Sequence, residues 1–155
     1  MLSSDKVRRN YTCAKEKLLF SNYIESGIIP DVVSMLYKKL GDNLLYVVLF
    51  GSFARKDYGE YSDIDLLVIT KNKYKLRKSD LGERIFDLEF KLCRHISIVG
   101  TYLDRFLELY NFNGCFKNAF MEGLFFYGNK NELETCIRTY EPIETVFENC
   151  DFSKV

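Results

Sequence analysis

Apolar positions recur along the chain with two different periods. Val7, Tyr11, Ala14 and Leu18 are spaced by 4, 3 and 4 residues, which puts them on one face of a helix running to about Glu25. Ser3 or Ser4 can cap it and Gly27 is expected to close it. Pro30 can open a second helix, because the N–H it lacks is not needed in a first turn. Val32, Val33, Leu36 and Leu40 give that helix an apolar side, and Gly41 ends it. The pattern then changes. Leu44 to Phe50 is an unbroken apolar run rich in aromatic and β-branched residues, which predicts a strand buried on both faces. A polar loop spans Gly51 to Ser62, and a second strand is expected from Asp63 to Ile69. Lys71 to Ser79 reads as a basic loop and Leu81 to about Cys93 as a helix. Ile96 to Val99 is a short third strand. Thr101 with Asp104 resembles a capping box for a helix over Tyr102 to Tyr110. A short helix near Phe116 to Met121 leads into an edge strand, Gly123 to Tyr127. One more helix, Asn131 to Tyr140, precedes a mobile tail. Helices and strands in this order predict an α/β or α+β protein, a small mixed sheet flanked by helices. One domain is expected over 1–155: N-terminal helices in 1–42, a motif-bearing sheet core in 44–99, and C-terminal helices with the edge strand in 100–155.

Composition narrows the partners. Twenty-two basic and 22 acidic residues balance, so there is no bulk attraction toward nucleic acid or membrane surfaces. No apolar run approaches the roughly 18 residues needed to span a bilayer, and the polar, charged stretch Met1 to Asn10 is no secretory signal. Cys13, Cys93, Cys115, Cys136 and Cys150 are odd in number and contain no CxxC pair, which suggests neither a disulfide framework nor a zinc site. Free thiols in a reducing cytoplasm are expected. Trp is absent, so Phe and Tyr supply the large core pieces.

Candidate chemistry is concentrated between Leu49 and Leu66. A buried strand ends at Gly51-Ser52, where glycine lets the backbone approach a ligand and free N–H groups can bind phosphate. Ten residues later the next strand begins Asp63-Ile64-Asp65. Residues i and i+2 of a strand share a face, so both carboxylates point one way while Ile64 and Leu66 point into the core. Alone, a Gly-Ser turn is an ordinary turn and an Asp-x-Asp a solvated rim. Together, against apolar strands, they suit Mg²⁺, which takes carboxylate oxygens and bridges to substrate phosphates. Arg55 can reach a phosphate oxygen or stand as a solvated loop charge. The run Lys71, Lys73, Lys75, Arg77 and Lys78 follows the strand and can meet phosphate or an acidic partner. His95, at a strand start, reads as structural. Phe116, Phe120, Phe125 and Phe126 read as core, or as a partner face if the sheet edge is open.

Gly51-Ser52, ten residues, then Asp63-x-Asp65 resembles the signature of the DNA polymerase β-type nucleotidyltransferase superfamily. With Ala54-Arg55 and Ser62-Asp63-Ile64-Asp65-Leu66 the string is similar to the minimal nucleotidyltransferases. Lys117 to Tyr127 resembles their "NV-x-EG-x-x-LY" ending. The resemblance implies a polymerase β-like nucleotidyltransferase fold and Mg²⁺-dependent transfer of a nucleoside monophosphate, AMP from ATP, to a hydroxyl with release of pyrophosphate. It implies Asp63 and Asp65 as catalytic metal ligands and Gly51, Ser52 and Arg55 as nucleotide contacts. Many such proteins are antitoxins paired with a HEPN-domain RNase toxin and add AMP to a toxin tyrosine, so a HEPN-type partner is expected here. The resemblance also implies a third carboxylate on a neighbouring strand. The residue in that place is Ser97, while Asp87 and Glu89 fall on a helix. Two other readings stay open: a module that holds its partner without turnover, and a small-molecule nucleotidyltransferase, against which the short chain argues.

Overall fold

The computed structural model describes residues 14–142. The caps at Ser3 or Ser4, the apolar positions Val7 and Tyr11, and the tail lie outside the described residues.

A helical rod opens the described chain: α1 (Ala14–Tyr23), a π-helical turn (Ile24–Ile28) and α2 (Ile29–Leu40). Gly27 does not close the first helix. Pro30 has no N–H to bond back to Ser26, and the chain widens at this point instead of breaking. The Ile29 N–H bonds the Ile24 carbonyl, five residues back. Ile24, Ile28 and Ile29 are all buried, so the widened turn keeps three apolar groups on the core side. Gly41, with φ 56°, ends α2 as expected.

β1 (Leu44–Phe50) and β2 (Ile64–Thr70) follow, separated by a single helical turn, α3 (Ser52–Arg55). A 3₁₀ turn (Lys78–Leu81) and α4 (Arg84–Leu92) lead to β3 (Ile96–Tyr102), α5 (Leu103–Leu109), α6 (Gly114–Glu122), β4 (Leu124–Tyr127) and α7 (Lys130–Thr139). The strand order is β3-β2-β1-β4. β1 is antiparallel to both β2 and β4, while β2 and β3 are parallel and joined by the α4 crossover. The sheet is therefore mixed, as expected.

Helices cover both faces. Val47, Leu49, Ile64, Leu66, Val68 and Ile96 pack with α1, α2 and α4. Tyr46, Val48, Leu67 and Ile69 pack with Phe106 of α5, Tyr110 just after it, Phe116 and Phe120 of α6 and Leu133 of α7. Two apolar layers explain why β1 reads as an unbroken apolar run. Phe116 and Phe120 are buried, and Phe125 and Phe126 pack toward opposite layers, so this cluster is core. No helix among the described residues is long and apolar enough to cross a membrane.

Two further expectations are corrected. Thr101 does not cap α5: β3 runs through Tyr102, Thr101 pairs with Ile69, and no side chain caps α5. The Thr101 carbonyl instead accepts a bond from the Thr70 hydroxyl. Leu81 belongs to the 3₁₀ turn, and α4 begins at Arg84.

Candidate active site

One end of the sheet collects every motif residue. There β1 finishes and the other three strands begin: Phe50 faces Asp65, Leu49 faces Leu124, and Ile64 lies beside Ile96. The chain leaves β1 at Gly51 with φ 73° and turns directly into α3. A Cβ at Gly51 would stand 2.5 Å from Asp65 Oδ2. Glycine is thus required twice, for its left-handed backbone and for the carboxylate lying against it. The turn is closed by Arg55 N–H to Gly51 O at 3.1 Å and Asp57 N–H to Ser52 O at 3.0 Å.

Asp63 immediately precedes β2, and Asp65 is its second residue. Alternation puts both on the layer of Leu67 and Ile69, while Ile64 and Leu66 point the other way and are fully buried. The two carboxylates are not equally sheltered, however. Asp63 is exposed and Asp65 half-buried, so only one charge leaves water. Burial pushes the Asp65 carboxyl above its ordinary range and the Asp63 charge adds to the rise, while Arg55 and His95 pull it back.

Arg55 lies within the field of Asp65 but spends its donors elsewhere. Its Nε bonds Asp57 at 3.1 Å, and its Nη1 bonds Glu122 at 3.0 Å. Glu122 closes α6 and brings the C-terminal motif to the same end of the sheet. The Glu-Gly pair was visible in the sequence without a stated role. Cys115, in the first turn of α6, also arrives here: burial raises its thiol and the Asp65 charge raises it further. No local pattern marks that cysteine.

Ser97 is the register partner of Asp65 across the parallel β2–β3 pair, so the two stand side by side on one face. The place implied for a third carboxylate therefore holds a hydroxyl. Asp87 is exposed on α4. Glu89 turns inward and serves as a staple. Its Oε2 accepts from Ile96 N–H at 2.8 Å and Lys78 Nζ at 2.9 Å, and His95 Nδ1 lies 2.8 Å away. Burial alone would raise the Glu89 carboxyl, but Lys78, the Ile96 N–H and His95 outweigh it and hold it below its usual value. His95 is part of this structural network at the start of β3. Arg94, unmarked by sequence reasoning, is buried beneath the loop before Asp63 and donates to it.

The basic run divides. Lys71 N–H bonds Asn43 O at the far end of β2, Leu76 packs beside Gly100, and Lys78 returns to Glu89 near the site. No group of three or more His, Cys, Asp or Glu stands together among the described residues. Two hard oxygen donors on one face, with a glycine cradle beside them, suit Mg²⁺, which binds through one or two carboxylates and takes its other ligands from phosphates and water.

The glycine turn, the serine that opens a helical turn and the carboxylate pair on the facing strand all fall within a nucleotidyltransferase domain. The chain belongs to the nucleotidyltransferase domain family, whose model matches residues 16–120. A Methanocaldococcus jannaschii protein named "Putative protein adenylyltransferase" is 31% identical over 106 residues, covering 66% of this chain and 98% of that protein. A second protein of that organism, under the same description, is 46% identical over 52 residues. That match covers 34% of this chain and 35% of the relative, so the chain spans about a third of its length. A chain of the complex between tri-AMPylated Shewanella oneidensis HEPN toxin and MNT antitoxin is 15% identical with a TM-score of 0.44, over 83% of this chain and 85% of that one. At that score the likeness carries nothing about chemistry or partners.

Proposed function

We propose that the protein is a Mg²⁺-dependent adenylyltransferase that moves AMP from ATP to a hydroxyl of a partner protein, and that it acts in the cytoplasm as the antitoxin of a HEPN-type RNase toxin. The observation that carries the reading is the contact of Gly51 with Asp65. It sets a phosphate-binding turn directly against a carboxylate whose neighbour, Asp63, shares its face. Asp63 and Asp65 would hold the metal, which supplies charge neutralisation and polarisation of phosphate oxygens. The Gly51 turn and the Ser52 hydroxyl bind phosphate. Arg55 adds a positive charge at the rim once its bonds to Asp57 and Glu122 are shared or released. In the transfer, the acceptor hydroxyl gives its proton to solvent, its oxygen bonds to the α-phosphorus, the bridge to the β-phosphate breaks, and pyrophosphate leaves.

Ser97 bears on the acceptor. A serine is a poor base, which favours an acceptor that gives up its proton readily. A tyrosine phenol titrates near pH 10, well below an aliphatic hydroxyl. Asp63 is exposed at the end of the sheet, which suits an acceptor that a partner brings on its own surface. The curated relatives are named for protein adenylylation, in line with a protein acceptor. The HEPN assignment rests on the motif resemblance.

Ser97 also favours a second reading, a module that holds its partner without turnover. Incubation with Mg²⁺, α-labelled ATP and the HEPN-type product of a neighbouring gene separates the two. Label on the partner, lost with Asp63→Asn, supports the enzyme. Tight binding without label under any divalent metal favours the module. Neither binding nor label removes the antitoxin assignment.

A further inference from the structure

We propose that Arg94 is a positioning residue for the site, a buried strut that fixes the carboxylate strand relative to the phosphate-binding turn. The inference rests on the nucleotidyltransferase reading above. Arg94 follows α4, where Cys93 turns the chain left-handed with φ 49°. It is 5% exposed. Its Nη1 donates to the carbonyls of Gly59 and Ser62, both at 2.9 Å. These carbonyls bracket a tight turn in which the Gly59 N–H bonds Ser62 Oγ at 2.8 Å. The next residue is Asp63. One guanidinium nitrogen therefore gathers both ends of the turn that delivers the first carboxylate. The following residue of the same segment completes the hold, since the His95 carbonyl accepts the Ile64 N–H at 2.9 Å. Asp63 is thus gripped on either side, by Arg94 through Ser62 and by His95 through Ile64.

The other half of the site is reached through rings. The Arg94 guanidinium carbon lies 5.3 Å from the centroid of Phe20, 5.2 Å from Phe53 and 5.7 Å from Tyr58. Phe53 is the residue after Ser52 and fully buried, and its ring stacks on Tyr58 at 4.0 Å. Tyr58 is pinned in turn, donating to Lys17 O at 2.7 Å and bonded to the Ser21 hydroxyl at 2.9 Å. A single cation, outside the motif in sequence, thus touches the element carrying Ser52 and the turn carrying Asp63. Burying a charge is costly unless it is held by good hydrogen bonds. A planar guanidinium offers several fixed donors plus a flat face for rings, which lysine's point charge cannot reproduce.

The test uses the full chain, with Mn²⁺ and a non-hydrolysable ATP analogue as probes, and compares Arg94→Met, Arg94→Lys, Ser62→Ala and Asp63→Asn. A stability control, Leu44→Ala, sits buried at the far end of β1, opposite Thr70. Displacing a ligand by about 1 Å can cost on the order of 10²-fold. Arg94→Met is therefore expected to weaken Mn²⁺–nucleotide binding about 10- to 100-fold, with Arg94→Lys recovering part of the loss. Leu44→Ala lowers the melting temperature but leaves the affinity within about twofold of wild type, because its cost is confined to core packing at the other end of the sheet. If Arg94→Met fails to fold, Ser62→Ala and Arg94→Lys carry the test, each expected to weaken binding by loosening the same turn. Wild-type affinity in both Arg94 variants, or in Arg94→Lys and Ser62→Ala where Arg94→Met does not fold, with binding lost in Asp63→Asn, overturns the strut and leaves the site reading intact. A wild-type protein that binds no Mn²⁺–nucleotide overturns the site reading, and the strut with it.

Discussion

Asp65 concentrates the electrostatic tension of the site. It is half-buried, beside Asp63, and its carboxyl is raised by burial first and by that neighbour second. A carboxyl raised on folding makes the native state bind protons more readily than the unfolded chain. Stability then falls as pH climbs from the unfolded value, near 3.9, through the raised native one. Asp65→Asn removes this loss. In chelator, the variant is expected to melt higher than the parent at pH 7, with the gap closing below about pH 4, where both forms of the parent are protonated. Thermal melts at the two pH values check it, and an equal or lower melting point for Asp65→Asn at pH 7 contradicts the account. At this scale the sequence was readable where spacing is local. Gly51, Ser52, Asp63 and Asp65 lie on the short stretch from the end of β1 to the start of β2, and strand alternation fixes the side of the two aspartates. Arg94, Glu122 and Cys115 come from distant segments, and no local period announces which ones the fold brings to that loop. Glu89 shows the converse: its carboxylate is close in sequence to Ser97, yet three partners bind it into the scaffold.

Elements were legible in proportion to how far their own residues determine them. β1 and β2 declared themselves as apolar runs, because both of their faces are covered. The breadth of β3 was hidden, since pairing with β2, not a local pattern, carries it through Tyr102. The rod of α1 and α2 misled at one residue for a physical reason: Gly27 is a breaker on paper, yet a π-helical turn absorbs it, while Pro30 sits in the first turn of α2, where its missing N–H is not needed. The junction of α6 and β4 offers a test. A Cβ on Gly123 would collide with the Ala119 carbonyl and the Val48 side chain. Gly123→Ala should therefore push β4 off β1 and cost about 1–3 kcal/mol, the usual range for overpacking. Denaturant unfolding should show a lower midpoint at an unchanged slope. A midpoint equal to wild type would mean that the junction yields freely.

Across the whole molecule, the fold class followed from the order of elements, while the end of the sheet at which each loop stands did not. The basic loop is the clearest case. Lys71 and Lys73 leave the far end of β2, six or more strand residues from Asp65, a separation of roughly 20 Å. At 0.15 M salt the screening length is about 8 Å. The double variant Lys71→Glu/Lys73→Glu is thus expected to bind Mg²⁺–ATP within about twofold of wild type, measured by titration calorimetry. A tenfold loss would bring the loop into the proposed nucleotide site. The sheet's closure has its own consequence for how the chain is made. Val47 pairs with Tyr127, and Leu49 with Leu124. β2 is synthesised soon after β1 and can dock on one side of it at once, but β4 emerges only after α6. Until then a margin of Leu, Tyr, Val and Phe stands unpaired on the growing chain, and such a margin invites strands from other chains. A four-residue strand made late is what ends that exposure, so translation stalled before Leu124 leaves a nascent chain primed to aggregate.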